Sequence, residues 1–193
     1  MAESRPFVTQ IPFQIRRATA HDRTAILALM RPRDYNRINL QPRCFFVATV
    51  ADMAKRTDAT AVIGIGQVKR HWDGTPELAS LVVAPRFRHQ GVGSALVKAL
   101  VAHHFADTAR LAIRESAQTA QTGTQPSQPL YLFCLSALEN YYRQFGFFPV
   151  ARHTLPWPLY TMHLLGNGMG RFVQAIGGAE FHVSAMRIDT TCT

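Results

Sequence analysis

The segment Leu81-Val82-Val83-Ala84-Pro85-Arg86-Phe87-Arg88-His89-Gln90-Gly91-Val92-Gly93-Ser94 constrains this chain more than any other. An apolar run ends at a proline, basic residues follow, and a glycine pair opens onto Val92, Ala95, Leu96, Ala99 and Leu100. That spacing is helical and predicts a helix continuing to about Phe105 or beyond. The start of a helix carries N–H groups without intrahelical acceptors and the positive end of the dipole, so a strand–turn–helix of this kind can hold an anion. Gly91 and Gly93 remove the Cβ atoms that would keep a pyrophosphate away, and Arg86, Arg88 and His89 add positive charge nearby. Two glycines can equally mark a tight turn and nothing more, so the surroundings must decide. The dinucleotide fingerprint fails because Leu96 stands where its third glycine belongs, and no Gly-Lys-Ser/Thr completes a P-loop.

The surroundings read as alternating strands and helices. Phe13–Arg17 alternates as a strand, and Thr19 with Asp22 forms a capping box ahead of Ile26, Leu27, Leu29 and Met30. Cys44–Val50 and Thr60–Lys69 are strands, with Gly64 and Gly66 as points of bulging or close approach. Asp73-Gly74 is a hairpin turn leading to a strand over Glu77–Val83. Residues 116–129 form a low-complexity polar loop before a strand at Leu130–Leu135. Ser136 is expected to cap the next helix, with Glu139 closing the box and Gly146 ending it. Strands around Phe147–His153 and Leu159–Leu165 complete the order βαβββαβαββ, and the tail adds a short helix and a last strand. The expected class is α/β: a central mixed sheet, mostly antiparallel, with helices on both faces. Residues 1–12 read as a flexible arm, 13–165 as the domain and 166–193 as an extension packed on it.

Composition narrows the function. At 193 residues, with 47% hydrophobic and 17% charged residues, the chain is an ordinary globular one with room for a single core. No signal pattern or membrane span is visible, and three distant cysteines (Cys44, Cys134, Cys192) make no disulfide frame, which together point to the cytoplasm. The formal charge of +9 comes from scattered lysines and arginines rather than a stripe, which favours steering of an anionic small ligand over nucleic acid. The histidines show no metal-ligand spacing.

Arg88-x-x-Gly91-x-Gly93 resembles the pyrophosphate-binding signature of the GCN5-related N-acetyltransferases, the GNAT family. Glu77-Leu-x-x-Leu81-x-Val83-x-Pro85 looks like the fourth strand of that family. Leu130-Tyr131-Leu132-Phe133, then Tyr142 through Gly146-Phe147, is similar to its fifth strand and Tyr-x-x-x-Gly-Phe ending. The two halves run from about Glu77 to Phe148. The polar tract between them is longer than a compact member's, and Leu135-Ser136-Ala137 stands where the family often has an asparagine.

The resemblance implies a GNAT-type acyl-CoA N-acyltransferase fold and direct transfer of an acetyl group from acetyl-CoA to a primary amine through a tetrahedral oxyanion. Such chemistry needs a base for the ammonium, donors for the oxyanion and an acid for the departing sulfur. Main-chain groups of Leu81, Val82 and Val83 would hold the thioester, and Arg88, His89, Gln90, Gly91, Val92, Gly93 and Ser94 the pyrophosphate. Tyr142 is the candidate acid and Glu77 the candidate base, direct or through water, with Asp73 and His71 in reserve on the same hairpin. Each also has a plain structural reading: an aromatic core residue for Tyr142, a solvated strand end for Glu77. No metal is called for. The partners are acetyl-CoA and an amine, small or on a protein, and the positive charge disfavours polyamines. The arm and the extension leave a homodimer open. Two other classes compete: an acyl-CoA sensor with no turnover, and a basic nucleic-acid binder.

Overall fold

A computed structural model describes residues 11–30, 40–50, 62–118, 128–162 and 182–189. Its strands are β1 (Phe13–Arg17), β2 (Phe45–Val50), β3 (Val62–Arg70), β4 (Pro76–Val83), β5 (Leu130–Leu135), β6 (Phe148–Pro149) and β7 (Val183–Ile188). Helices form at α1 (Arg23–Leu29), α2 (Val92–Gln118) and α3 (Glu139–Arg143), and residues 157–162 are helical as well. Seven strands hydrogen-bond in the order β1-β2-β3-β4-β5-β7-β6. Pairing is antiparallel in β1–β2, β5–β7 and β6–β7 and parallel in β4–β5. This is the mixed, mostly antiparallel α/β sheet expected from the sequence. The chain folds as two compact units: residues 1–66 with 80–96, and residues 67–79 with 97–193.

In the first unit, β2 shows why alternation matters. Phe45 and Val47 pack with Ala25 and Ile26 of α1, while Ala48 packs with Val92 and Leu96 of α2, supported by Phe46 and Val50. Successive side chains of a strand point to opposite faces, so α1 and the first turns of α2 cover the two faces of this part of the sheet. The capping box holds: the Asp22 carboxylate accepts the Thr19 N–H at 2.7 Å. The same carboxylate takes a two-pronged Arg16 guanidinium at 2.7 and 2.8 Å, which holds it well below the usual range, at about 2. Gly64 lies under α2. A Cβ there would sit 3.0 Å from Val92 and 3.1 Å from Leu96, so the helix approaches β3 as closely as it does because no side chain intervenes.

In the second unit, β5 and β7 pair over six residues from Leu130↔Ile188 to Leu135↔Val183. Tyr131 and Ala185 on one face pack with Leu155 and Leu159. Several local expectations change. The strand expected from Leu159 is helical over residues 157–162, and the strand at Phe147–His153 shrinks to Phe148–Pro149 before a tight turn at Arg152–Thr154. Short apolar runs do not distinguish the two periods, and the prolines at 156 and 158 favour a helix start over a ladder that needs N–H donors. The polar tract begins later than expected, because α2 continues through Gln118 on residues with good helix propensity. Residues 119–127 lie outside the described residues, as do 163–181.

Ser136 does not cap α3. It opens a tight turn (Ser136–Leu138), and its hydroxyl bonds to the His182 carbonyl at 3.1 Å and to the Ser184 hydroxyl at 2.8 Å. Glu139 accepts the Ser184 hydroxyl instead of closing a box. A strand neighbour outcompetes the local cap here, since β7 lays polar groups alongside this turn. Gly146 ends the element as expected, at φ +90° with its N–H on the Arg143 carbonyl at 2.9 Å.

Candidate active site

The strand–turn–helix takes the predicted form. Pro85–Phe87 makes a single tight turn after β4, and Gly91 adopts φ +81°. The first bond of α2 runs from the Ala95 N–H to the Gly91 carbonyl at 2.9 Å. The N–H groups of Val92 and Gly93 lie ahead of that bond, at the start of the helix. A Cβ built on Gly91 meets no atom within 4 Å, so the space on that side is open. Arg88 folds back, its Nε donating to the Val83 carbonyl at 3.3 Å, and the Gln90 amide caps the Arg86 carbonyl at 3.1 Å. His89 holds φ +61°, an uncommon conformation for a side-chain-bearing residue, and Arg86 and His89 are exposed. A polyanionic diphosphate fits this cradle: backbone donors, a helix dipole, basic side chains and no Cβ in the way.

Leu81 and Val83 lean on the α2 side of the first unit's core and Val82 on the α1 side. Their side chains are half-buried and pack against the core. The register of β4 with β5 comprises Glu77↔Tyr131 and Leu78↔Leu132 and ends ahead of Ser80, which has φ +53°. A positive φ inside a strand breaks the pleat, as bulges beside active sites do. No turn or glycine announced Ser80 in the sequence.

Glu77 and Tyr142 both belong to the second unit and are not brought side by side. Glu77 is in register with Tyr131, whose face carries Leu155, Leu159 and Ala185. Tyr142 lies with α3 on the other face, beside Cys134 and within 6.1 Å of the Phe147 ring.

Glu77 is not a solvated strand end. It is 5% exposed, and one carboxylate oxygen meets His71 Nε2 at 2.7 Å and Lys69 Nζ at 3.2 Å. Alternation along β3 could have suggested Lys69; only the folded hairpin joins it to Glu77. Asp73, the other reserve, is taken up by the turn, accepting the Thr75 N–H at 3.0 Å and the Thr75 hydroxyl at 2.8 Å. Tyr142 is buried, and burial pushes its phenol well above the ordinary tyrosine range, with Tyr141 and Cys134 adding to the effect. No described residue hydrogen-bonds its hydroxyl. Tyr141 packs edge-on against Tyr142 and Phe145 at 5.0 and 5.3 Å. Among the described residues no cluster of His, Cys, Asp and Glu could hold a metal, and no helix is long and apolar enough to cross a membrane.

A sequence model of the acetyltransferase (GNAT) family matches residues 14–134, nearly two thirds of the chain. The protein belongs to the GNAT family. The GNAT match takes in Glu77 and the whole anion cradle and stops just short of Tyr142. Solved structures of GNAT type are similar in fold. A Mycobacterium tuberculosis protein, Rv2747, crystallised with CoA, shares 16% identity over 92% of this chain and 99% of its own, with a TM-score of 0.56. The ribosomal-protein-S18-alanine N-acetyltransferase of Escherichia coli shares 14% over 94% and 96%, at 0.53. N-acetylglutamate synthase from Neisseria gonorrhoeae, crystallised with coenzyme A and N-acetyl-glutamate, shares 18% over 92% of this chain, at 0.52. The chain spans only 35% of that synthase. No curated protein sequence matches the chain.

Proposed function

We propose that this GNAT protein is an N-acetyltransferase that moves the acetyl group of acetyl-CoA to the primary amine of an amino acid or of another small neutral or acidic amine. The start of α2 carries the reading: a Gly91 with φ +81° and open space where a side chain would stand, among Arg86, Arg88 and His89. Bound there, acetyl-CoA supplies an activated thioester. The chain's own residues do the rest. Backbone donors of Leu81–Val83 polarise the carbonyl and hold the oxyanion. The Glu77–His71 pair accepts a proton from the incoming ammonium. Tyr142, kept neutral by burial and with its hydroxyl uncommitted among the described residues, donates to the leaving sulfur.

The net charge of +9 supports an acceptor that is not a polycation. The acetylated amino acid in the Neisseria structure points the same way. The test is calorimetric titration of acetyl-CoA into the native protein and the Gly91→Glu variant, followed by thiol release with a panel of L-amino acids and with spermidine. Binding lost in the variant, with turnover on one or more amino acids, is expected. Efficient acetylation of spermidine at low salt would overturn the acceptor class. Binding without turnover on any amine would leave an acyl-CoA sensor.

A further inference from the structure

The Glu77–His71 pair has a direction built into it. Resting on the acetyltransferase reading above, we infer that His71 is the group that takes the proton, through Nδ1, and that Glu77 is the positioning residue behind it. Three observations carry this. First, Glu77 Oε2 already receives His71 Nε2 at 2.7 Å and Lys69 Nζ at 3.2 Å. That oxygen is committed to two donors, as suits a carboxylate that orients the imidazole. Second, an ionised carboxylate only accepts, so Nε2 carries a hydrogen, and in the neutral imidazole the lone pair then lies on Nδ1. No described residue bonds to that Nδ1. Third, the residue is fixed at its backbone and at one ring nitrogen. The His71 N–H bonds the Thr75 carbonyl at 2.9 Å, the His71 carbonyl accepts the Gly74 N–H at 2.9 Å, and the ring is fixed by Glu77. A carboxylate that orients an imidazole and balances its charge once protonated is the arrangement by which histidine bases work on unrelated folds.

The proton balance closes. His71 Nδ1 takes one proton from the substrate ammonium and becomes imidazolium, its charge facing Glu77. The freed amine nitrogen bonds to the acetyl carbon, and the carbon–sulfur bond breaks as Tyr142 protonates the departing thiolate. The nitrogen then sheds its second proton, which restores Tyr142. One proton remains on His71 and returns to solvent, so the reaction yields an N-acetylated amine, CoA thiol and one proton.

The charged and titratable groups around His71 are Glu77, Lys69 on β3 and Asp73 in the turn. Turnover is measured with the amino acid from the panel that releases thiol fastest, as kcat/KM against pH. His71→Asn is expected to lower kcat by about a hundredfold or more and to abolish the rising acid limb. Imidazole added to His71→Gly is expected to restore part of the rate. Glu77→Gln, which can still accept from Nε2, is expected to lose about tenfold or less. The opposite ranking, with Glu77→Gln the more damaging and no imidazole rescue, would overturn the assignment. Acetyl-CoA binding by both variants, followed by calorimetry, separates a lost base from a lost cradle. A second readout needs neither acetyl-CoA nor an acceptor: nitrogen NMR of the labelled imidazole in the native protein. In the neutral ring the Nε2–H tautomer is expected, and an Nδ1–H tautomer would refute the proposal.

Discussion

Tyr142 and Asp22 are both buried, but they are buried for different reasons. The Tyr142 ring is packed between Phe147 and Tyr141, yet no described residue uses its hydroxyl. A core tyrosine of purely structural value normally gives that group a partner. Tyr142→Phe should therefore leave stability within about 0.5 kcal/mol and lower kcat by about a hundredfold. Urea unfolding beside thiol release checks both halves, and a large stability loss would make the residue a packing element. Asp22 is the reverse case, with its carboxylate fully engaged by Arg16 and Thr19. Its folded pKa of about 2 lies below the unfolded value. Its contribution is then complete above the unfolded value near ~4 and is lost as pH falls through about 2. Arg16 is 40% exposed and solvent screens the pair, so Asp22→Asn should cost about 1–2 kcal/mol at pH 7. Unfolding curves should show that gap closing between about pH 5 and pH 2.

At the scale of elements, two glycines next to α2 fail in different ways. Gly64→Ala places a methyl a few tenths of an ångström too close to Val92 and Leu96, both anchored in the core. Overpacking of that kind costs about 1–3 kcal/mol. Gly91→Ala meets no atom within 4 Å, so its only cost is the left-handed backbone, about 1 kcal/mol. Thermal unfolding should rank Gly64→Ala as the more damaging. Acetyl-CoA titration should show Gly91→Ala binding more weakly, because its methyl enters the open space that the diphosphate would occupy, and Gly91→Glu not binding at all. The same elements show what a sequence makes legible. The turn at 85–94 and the hairpin at Asp73-Gly74 could be read because proline and glycine have local requirements that no distant residue alters. Ser136 misled because its choice between a cap and β7 depends on Ser184, 48 positions away. The contacts of Glu77 depend on folding in the same way, because only the closed hairpin brings Lys69 and His71 to its carboxylate. The strand expected over Leu159–Leu165 is helical up to residue 162, because a short apolar run fits either period until packing with Tyr131 decides.

At the scale of the whole molecule the remaining question is what the charge of +9 is for. A body of that charge raises the local concentration of polyanions and speeds their arrival, and the effect weakens as salt shortens the screening length from ~30 Å at 0.01 M to ~10 Å at 0.1 M. A nucleic-acid binder would show the same sign but a different magnitude, because each phosphate neutralised on a duplex adds close to one unit to the salt slope. The cradle at α2 offers a compact set of donors, suited to one diphosphate rather than to a run of phosphates. Acetyl-CoA association, followed by stopped flow between about 20 and 200 mM salt, should slow by several-fold while dissociation changes little, as steering requires. Dephospho-CoA, with less negative charge, should show a shallower dependence and the same requirement for Gly91. Double-stranded DNA should bind weakly, with no competition against acetyl-CoA at moderate salt. A steep salt slope for DNA, together with displacement of acetyl-CoA by DNA, would instead make the basic surface a macromolecular docking site. In that case the α2 cradle would be a phosphate contact within it.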